Sequence, residues 1–237
     1  MTGNRSFNLC EINKILAPIL GTTLIVKIQS SILLSSAVIF LGFNQPVLAE
    51  EGVERAERFL NIEKGRIRLK DASGKLVEPL ANHGQKATVL FFLTTECPIG
   101  NLYSPEINRI VEHYKKQGVT CHAVYAHETL AEIKKHRSEY KLSLSALLDP
   151  EVKLAKLPGA TVMPEACVLG QDGKILYRGR IDDRAVKFGT VRMEPRVQDL
   201  RLALDAVLAG KPVAQKFTKP IGCYISCPEP SLPKQSK

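Results

Sequence analysis

The run KATVLFFLT, Lys86 to Thr94, limits the fold more than any other part of the chain. It is apolar without alternation, carries β-branched and aromatic residues, and is too short for a buried helix. Such a run predicts a strand buried on both faces, at the centre of a sheet covered by other layers. Cys97 follows at the seam with a second pattern, in which Ile107, Ile110, Val111 and Tyr114 recur at helical spacing before Gly118. A buried strand running into an amphipathic helix calls for an α/β architecture.

The flanking segments extend that reading. GRIRLKDASGKLVEPL alternates around an Ala-Ser-Gly turn and predicts a hairpin. VTCHAVYA (119–126) is a second strand, ETLAEIKKHRSEYKL a helix with Leu130, Ile133 and Tyr140 on one side, LSALLDP a short strand, and EVKLAKLPG a short helix. EACVLGQDGKILYRGR gives two strands about an Asp-Gly turn, and RVQDLRLALDAVLAG a last helix ending at Gly210. The expectation is one central mixed sheet with helices on both faces. Four regions follow: 1–49, a helix or linker at 50–64, the folded domain at 65–210, and a proline-rich tail at 211–237 with no periodicity.

Residues 1–49 read as an export signal. Arg5, Lys14 and Lys27 precede the apolar stretch SILLSSAVIFLGF, then the small-residue site VLA and the acidic start at Glu50. The apolar core is shorter than the roughly 20 residues of a spanning helix. The alternative is a membrane anchor over residues 15–43, and contact with the membrane is expected only through that segment. The destination is periplasmic or extracellular. The formal net charge of +9 is spread among acids rather than gathered on one face, which argues against nucleic acid as a partner.

Export gives the cysteines meaning, because thiols outside the cytosol tend to be paired. Cleavage after Ala49 leaves Cys97, Cys121, Cys167, Cys223 and Cys227, an odd set that implies an unpaired or intermolecular thiol. Cys121 and Cys167 fall in strand patterns and read as core. Cys223 and Cys227 lie in the tail and read as disulfide formers. The histidines form no metal-ligand spacing, and His113, His127 and His136 read as surface residues. Neither a metal nor a cofactor is called for.

Cys97 stands where a helix begins, and helix N-termini favour a thiolate, the nucleophilic form of cysteine. Glu96 beside it opposes ionisation. Pro105, eight residues on, falls inside the same helical pattern and predicts a kink. Strand, cysteine and inset proline, together with GATVMPEACVLGQDGKILYRGRID from Gly159, resemble the thioredoxin superfamily. The span 65–210 is most similar to its redoxin branch, the alkyl hydroperoxide reductase and thiol-specific antioxidant relatives, in the exported bacterial form. The resemblance implies a thioredoxin-like sandwich with Met163-Pro164 as a cis-proline loop beside Cys97.

Departures from the family pattern matter. Gly100 occupies the place of the second cysteine of a Cys-x-x-Cys pair. Thr94 keeps the Thr-x-x-Cys of peroxiredoxins, but Leu90 stands where their proline belongs. Arg180, or Arg178, is the candidate for their pocket arginine. The leading expectation is an exported thiol oxidoreductase. Cys97 attacks a peroxide or a protein disulfide, Cys223 resolves the product from the flexible tail, and an unidentified thiol supplies electrons. Two alternatives differ in class: a non-catalytic partner-binding module using the groove between Cys97 and Pro164, and a copper-handling protein using Cys223 and Cys227.

Overall fold

In the computed structural model, residues 67–81 and 83–225 are described; the leader, the segment 50–64 and Cys227 lie outside them. Strand β3, Ala87–Leu93, is buried at every position. Its side chains alternate between two clusters. Val89, Phe91 and Leu93 join one, while Leu90 and Phe92 join the other. That two-sided burial explains why the sequence shows no polar alternation here.

The sheet has seven strands in the order β2-β1-β5-β4-β3-β7-β8. β4 (Val119–Tyr125) and β5 (Ser145–Leu148) continue β3 in parallel. β7 (Glu165–Gly170) and β8 (Ile175–Gly179) run antiparallel on its other side. The hairpin of β1 (Leu69–Asp71) and β2 (Leu76–Val77) closes the far edge against β5. Mixed strand directions of this kind agree with the sequence expectation.

Helix α1 (Pro98–Lys115), α2 (Leu130–Glu139) and α4 (Asp199–Leu208) send Ile107, Ile133 and Leu204 into the first cluster. The single-turn α3 (Lys153–Lys156) contributes Leu154 and Ala155 to the second. Helix α1 is tied to α4 by Tyr114, whose hydroxyl donates to Asp205 at 2.7 Å, and by the buried Glu106, which accepts from Arg201 at 2.8 Å. α1 runs through Pro105 without interruption.

Two features were not foreseen. β9 (Ala185–Lys187) and β10 (Thr190–Val191) form a small hairpin that the sequence pattern left unassigned. The segment expected to be a loose tail is instead stitched to the domain. Lys216 and Thr218 hydrogen-bond Arg178 of β8, and β11 (Cys223–Tyr224) pairs antiparallel with β6 (Val162–Met163). Backbone-to-backbone bonding of this kind leaves no hydrophobic periodicity to read.

Ile107→Ala is expected to destabilise the domain by about 2–5 kcal/mol, because it empties a fully buried site between α1 and the sheet. Leu102→Ala, on the exposed side of the same helix, should stay within about 0.5 kcal/mol. Urea unfolding of the two variants checks the contrast.

Candidate active site

The end of β3 delivers Thr94 and the turn at Thr95 and Glu96, and Cys97 caps helix α1 with extended backbone (φ −80°, ψ 110°). Pro98 takes the first helical position, where its missing N–H breaks no bond. The Cys97 carbonyl accepts from Asn101 N at 3.0 Å, so the cysteine sits at the positive end of the helix dipole. Its sulfur donates to the carbonyl of Met163 at 3.3 Å. The Met163–Pro164 bond is cis, and this loop faces the start of α1.

The turn is braced from the loop between β4 and α2 and from α1 itself. Glu128 accepts from Thr95 N at 3.1 Å, while Asn101 donates to Thr95 O at 3.2 Å. Behind Asn101, its Oδ1 lies 2.8 Å from His136 Nε2, and His136 Nδ1 lies 2.9 Å from the Tyr125 hydroxyl. His136 is therefore buried (3% exposed) rather than on the surface as the helix pattern suggested. Burial lowers its pKa and favours the neutral ring. The proline loop has its own brace: Glu165, buried beside Pro164, accepts from Thr161 N and Val162 N and pairs with Arg178 at 3.3 Å.

The two arginine candidates are engaged elsewhere. Arg180 makes a bidentate pair with Asp199 of α4, at 2.7 and 3.1 Å. Arg178 donates to the carbonyls of Pro158 and Gly159 and lies over the Phe217 ring. Neither lines the cleft of about 400 Å³ that Thr94, Thr95, Glu96, Cys97, His127, Glu128, Glu132, Met163, Cys223 and Tyr224 enclose. Arg180 is thereby corrected from a candidate site residue to a link between β8 and α4.

Cys223, by contrast, is brought to Cys97. The β11–β6 register places it opposite Met163, the residue whose carbonyl accepts from the Cys97 sulfur. Both cysteines border the same cleft. Partial burial first, then the neighbouring Cys97 thiol and the charge of a Cys97 thiolate, push the Cys223 thiol up to about 11. The same strand covers Cys97, which has no exposed surface (0%) although it borders the cleft. A nucleophile open to a partner was expected; the sulfur is instead buried between the start of α1, the Met163 carbonyl and the neighbouring strand β11. Cys121 and Cys167 are buried in the core, as their strand positions indicated.

Gly100 shows what this arrangement replaces. A Cβ there would lie 3.5 Å from Cys97 Cβ and 4.0 Å from its sulfur. The first value is at the short end of the range found in disulfides. The seat of a local partner thiol is sterically open, and the chain fills the role of neighbour from its tail instead.

Residues 63–178 match the AhpC/TSA family. The matched segment is just under half of the chain. The chain is also similar to the thiol-disulfide oxidoreductase ResA of Bacillus cereus, at 26% identity over 65% of this chain and 85% of the relative. To ResA of Bacillus thuringiensis subsp. konkukian it is 28% identical over 45% of this chain and 61% of the relative, so the match spans about three fifths of that protein. Among solved structures, an uncharacterized conserved protein from Geobacillus kaustophilus superposes with a TM-score of 0.58 at 26% identity, covering 68% of this chain and 87% of that one. A hypothetical protein from Sinorhizobium meliloti 1021 gives 0.57 at 27%, covering 67% and 89%. The fold is thioredoxin-like. Among the described residues no group of three or more His, Cys, Asp or Glu side chains could hold a metal ion.

Two outcomes test this geometry. Cys97→Ala removes the neighbouring thiol and the charge acting on Cys223, so the Cys223 pKa should fall from about 11, seen as faster alkylation at a fixed pH near 8. Gly100→Cys should give, on oxidation, a bridge between Cys97 and the introduced thiol. Peptide mapping that recovers only the Cys97–Cys223 bridge would show that the helix start cannot house a partner.

Proposed function

We propose that this chain is a thiol–disulfide oxidoreductase in which Cys97 is the nucleophile and Cys223 the resolving thiol. One observation carries the reading: β11 holds Cys223 opposite Met163, whose carbonyl accepts from the Cys97 sulfur, and both cysteines border one cleft. The likeness to the ResA oxidoreductases supports the same class of chemistry.

The steps are two exchanges. The Cys97 thiolate attacks one sulfur of a partner disulfide, forming a mixed disulfide and releasing the other partner sulfur as a thiolate. Cys223, once deprotonated, attacks the Cys97 sulfur, forming the Cys97–Cys223 bond and releasing the partner as a second thiolate. The partner disulfide is reduced by two electrons and the dithiol is oxidised by two. A dithiol donor resets the pair by the reverse sequence. The high Cys223 pKa suits this order. In the mixed disulfide Cys97 carries no charge, so that contribution to the raised pKa disappears when Cys223 has to ionise.

Protein disulfides fit the site better than peroxides do. A leaving hydroxide calls for a cationic donor, and Arg178 and Arg180 are committed to Glu165 and Asp199. Export, from the 1–49 pattern, belongs to the same proposal, since it sets the oxidising compartment in which such exchange works.

Mass mapping of the full chain after oxidation by one equivalent of a peptide disulfide is expected to give a Cys97–Cys223 link. Cys223→Ser should trap the partner on Cys97, and Cys97→Ser should abolish both species. Recovery of Cys97 unmodified under these conditions would overturn the proposal, and a Cys97–Cys227 link would move the resolving role.

A further inference from the structure

Cys223 is held from two sides. Upstream, Thr218 is buried in a notch beside β8 that exists because residue 179 is glycine: a Cβ there would collide with the Thr218 hydroxyl and carbonyl. Its hydroxyl accepts from Arg180 N at 3.0 Å and lies 2.6 Å from the Tyr177 hydroxyl. Tyr177 itself donates to Arg180 O at 2.6 Å, which leaves Thr218 to donate to Tyr177. The threonine hydroxyl thus accepts one bond and donates another. The main chain adds Thr218 N to Arg178 O at 3.1 Å and Arg178 N to Lys216 O at 2.8 Å.

Downstream, Gly222 lies so close to the proline loop that a Cβ would collide with the Met163 carbonyl and stand 2.9 Å from Pro164 N. Ile225 N then donates to Thr161 O at 2.9 Å. Only Lys219 to Ile221 separate the two anchors, and Pro220 stiffens that span. The segment is a strap under two pins, with the Cys223 thiol directly beyond the second.

Resting on the reading of Cys97 and Cys223 as the reacting pair, we propose that Thr218 and Gly222 are positioning residues that set opposite demands on the two exchanges. While the strap is seated, Cys223 is poised for resolution and Cys97 has no exposed surface. For a partner disulfide to reach the Cys97 sulfur, the strap has to lift. The pins therefore slow the first attack and speed the second.

The experiment uses the full chain with Cys10 and Cys227 replaced by serine, reduced and mixed with one equivalent of an aromatic disulfide whose thiolate product is coloured. The first coloured release reports attack by Cys97, and the second reports resolution by Cys223. Thr218→Val keeps the side-chain shape and removes two hydrogen bonds. It should accelerate the first release and slow the second, each by about tenfold. Thr218→Ser restores the hydroxyl and should stay within about twofold of the parent in both. Gly222→Ala, acting on the other pin, should shift both steps in the same sense as Thr218→Val, and it carries the test if the valine variant loses its native circular dichroism. Both releases moving in one direction, or neither moving, overturns the inference. A parent chain that forms no Cys97–Cys223 bridge fails the underlying reading instead. A parent that bridges normally beside unchanged variants sinks only the role of the pins.

Discussion

The antiparallel register of Cys223 with Met163 is the contact on which the candidate site depends. Three segments far apart in sequence meet there: the start of α1, the loop at the cis proline, and the C-terminal strap. Each is fixed by a different means. The helix start is braced through Thr95 by Glu128 and Asn101, the loop through Glu165, and the strap through Thr218. None of these braces is a surface ion pair of the kind that contributes little. They are buried or half-buried hydrogen bonds whose loss leaves polar groups without partners, and that makes the convergence geometrically strict.

Charge at the site runs against charge over the chain. The formal total is +9, yet the cleft is edged by Glu96, Glu128 and Glu132, with His127 and Tyr224 beside the two cysteines. Glu128 and Glu132 are not loose charges. Each holds backbone N–H groups, Glu128 those of Thr95 and His127, Glu132 that of Thr129 in the capping box of α2. Net charge was therefore a guide to bulk behaviour and not to the field at the sulfur.

Much of the fold was legible because it follows from hydrophobic periodicity. The unbroken run at β3, the helical spacing of Ile107, Ile110 and Tyr114, and the Asp-Gly turn between β7 and β8 each carry a local signal. Cys97 and Pro164 were legible from a motif. The strap was not, since its affinity for the domain lies in main-chain bonds and in two glycines, Gly179 and Gly222, whose value is the absence of a side chain. His136 and Arg180 were misread for a related reason. A polar residue on a helix or hairpin looks solvated in sequence, and only tertiary partners such as Asn101 and Asp199 show otherwise. Pro105 lies inside α1, as its place in the helical pattern indicated.

Gly100 has a thermodynamic corollary. A local Cys-x-x-Cys bridge closes a loop of a few residues and barely restrains an unfolded chain. A bridge from Cys97 to Cys223 closes a loop containing most of the sheet and helix α4. On the chain-entropy account, such a cross-link stabilises the oxidised protein by about 4–5 kcal/mol. Linkage then runs both ways: whatever steadies the native topology deepens the thermodynamic well of the oxidised pair, and whatever melts it makes reduction easier. With the proposed Cys97–Cys223 bridge formed, redox poise and conformational stability would become a single coupled variable.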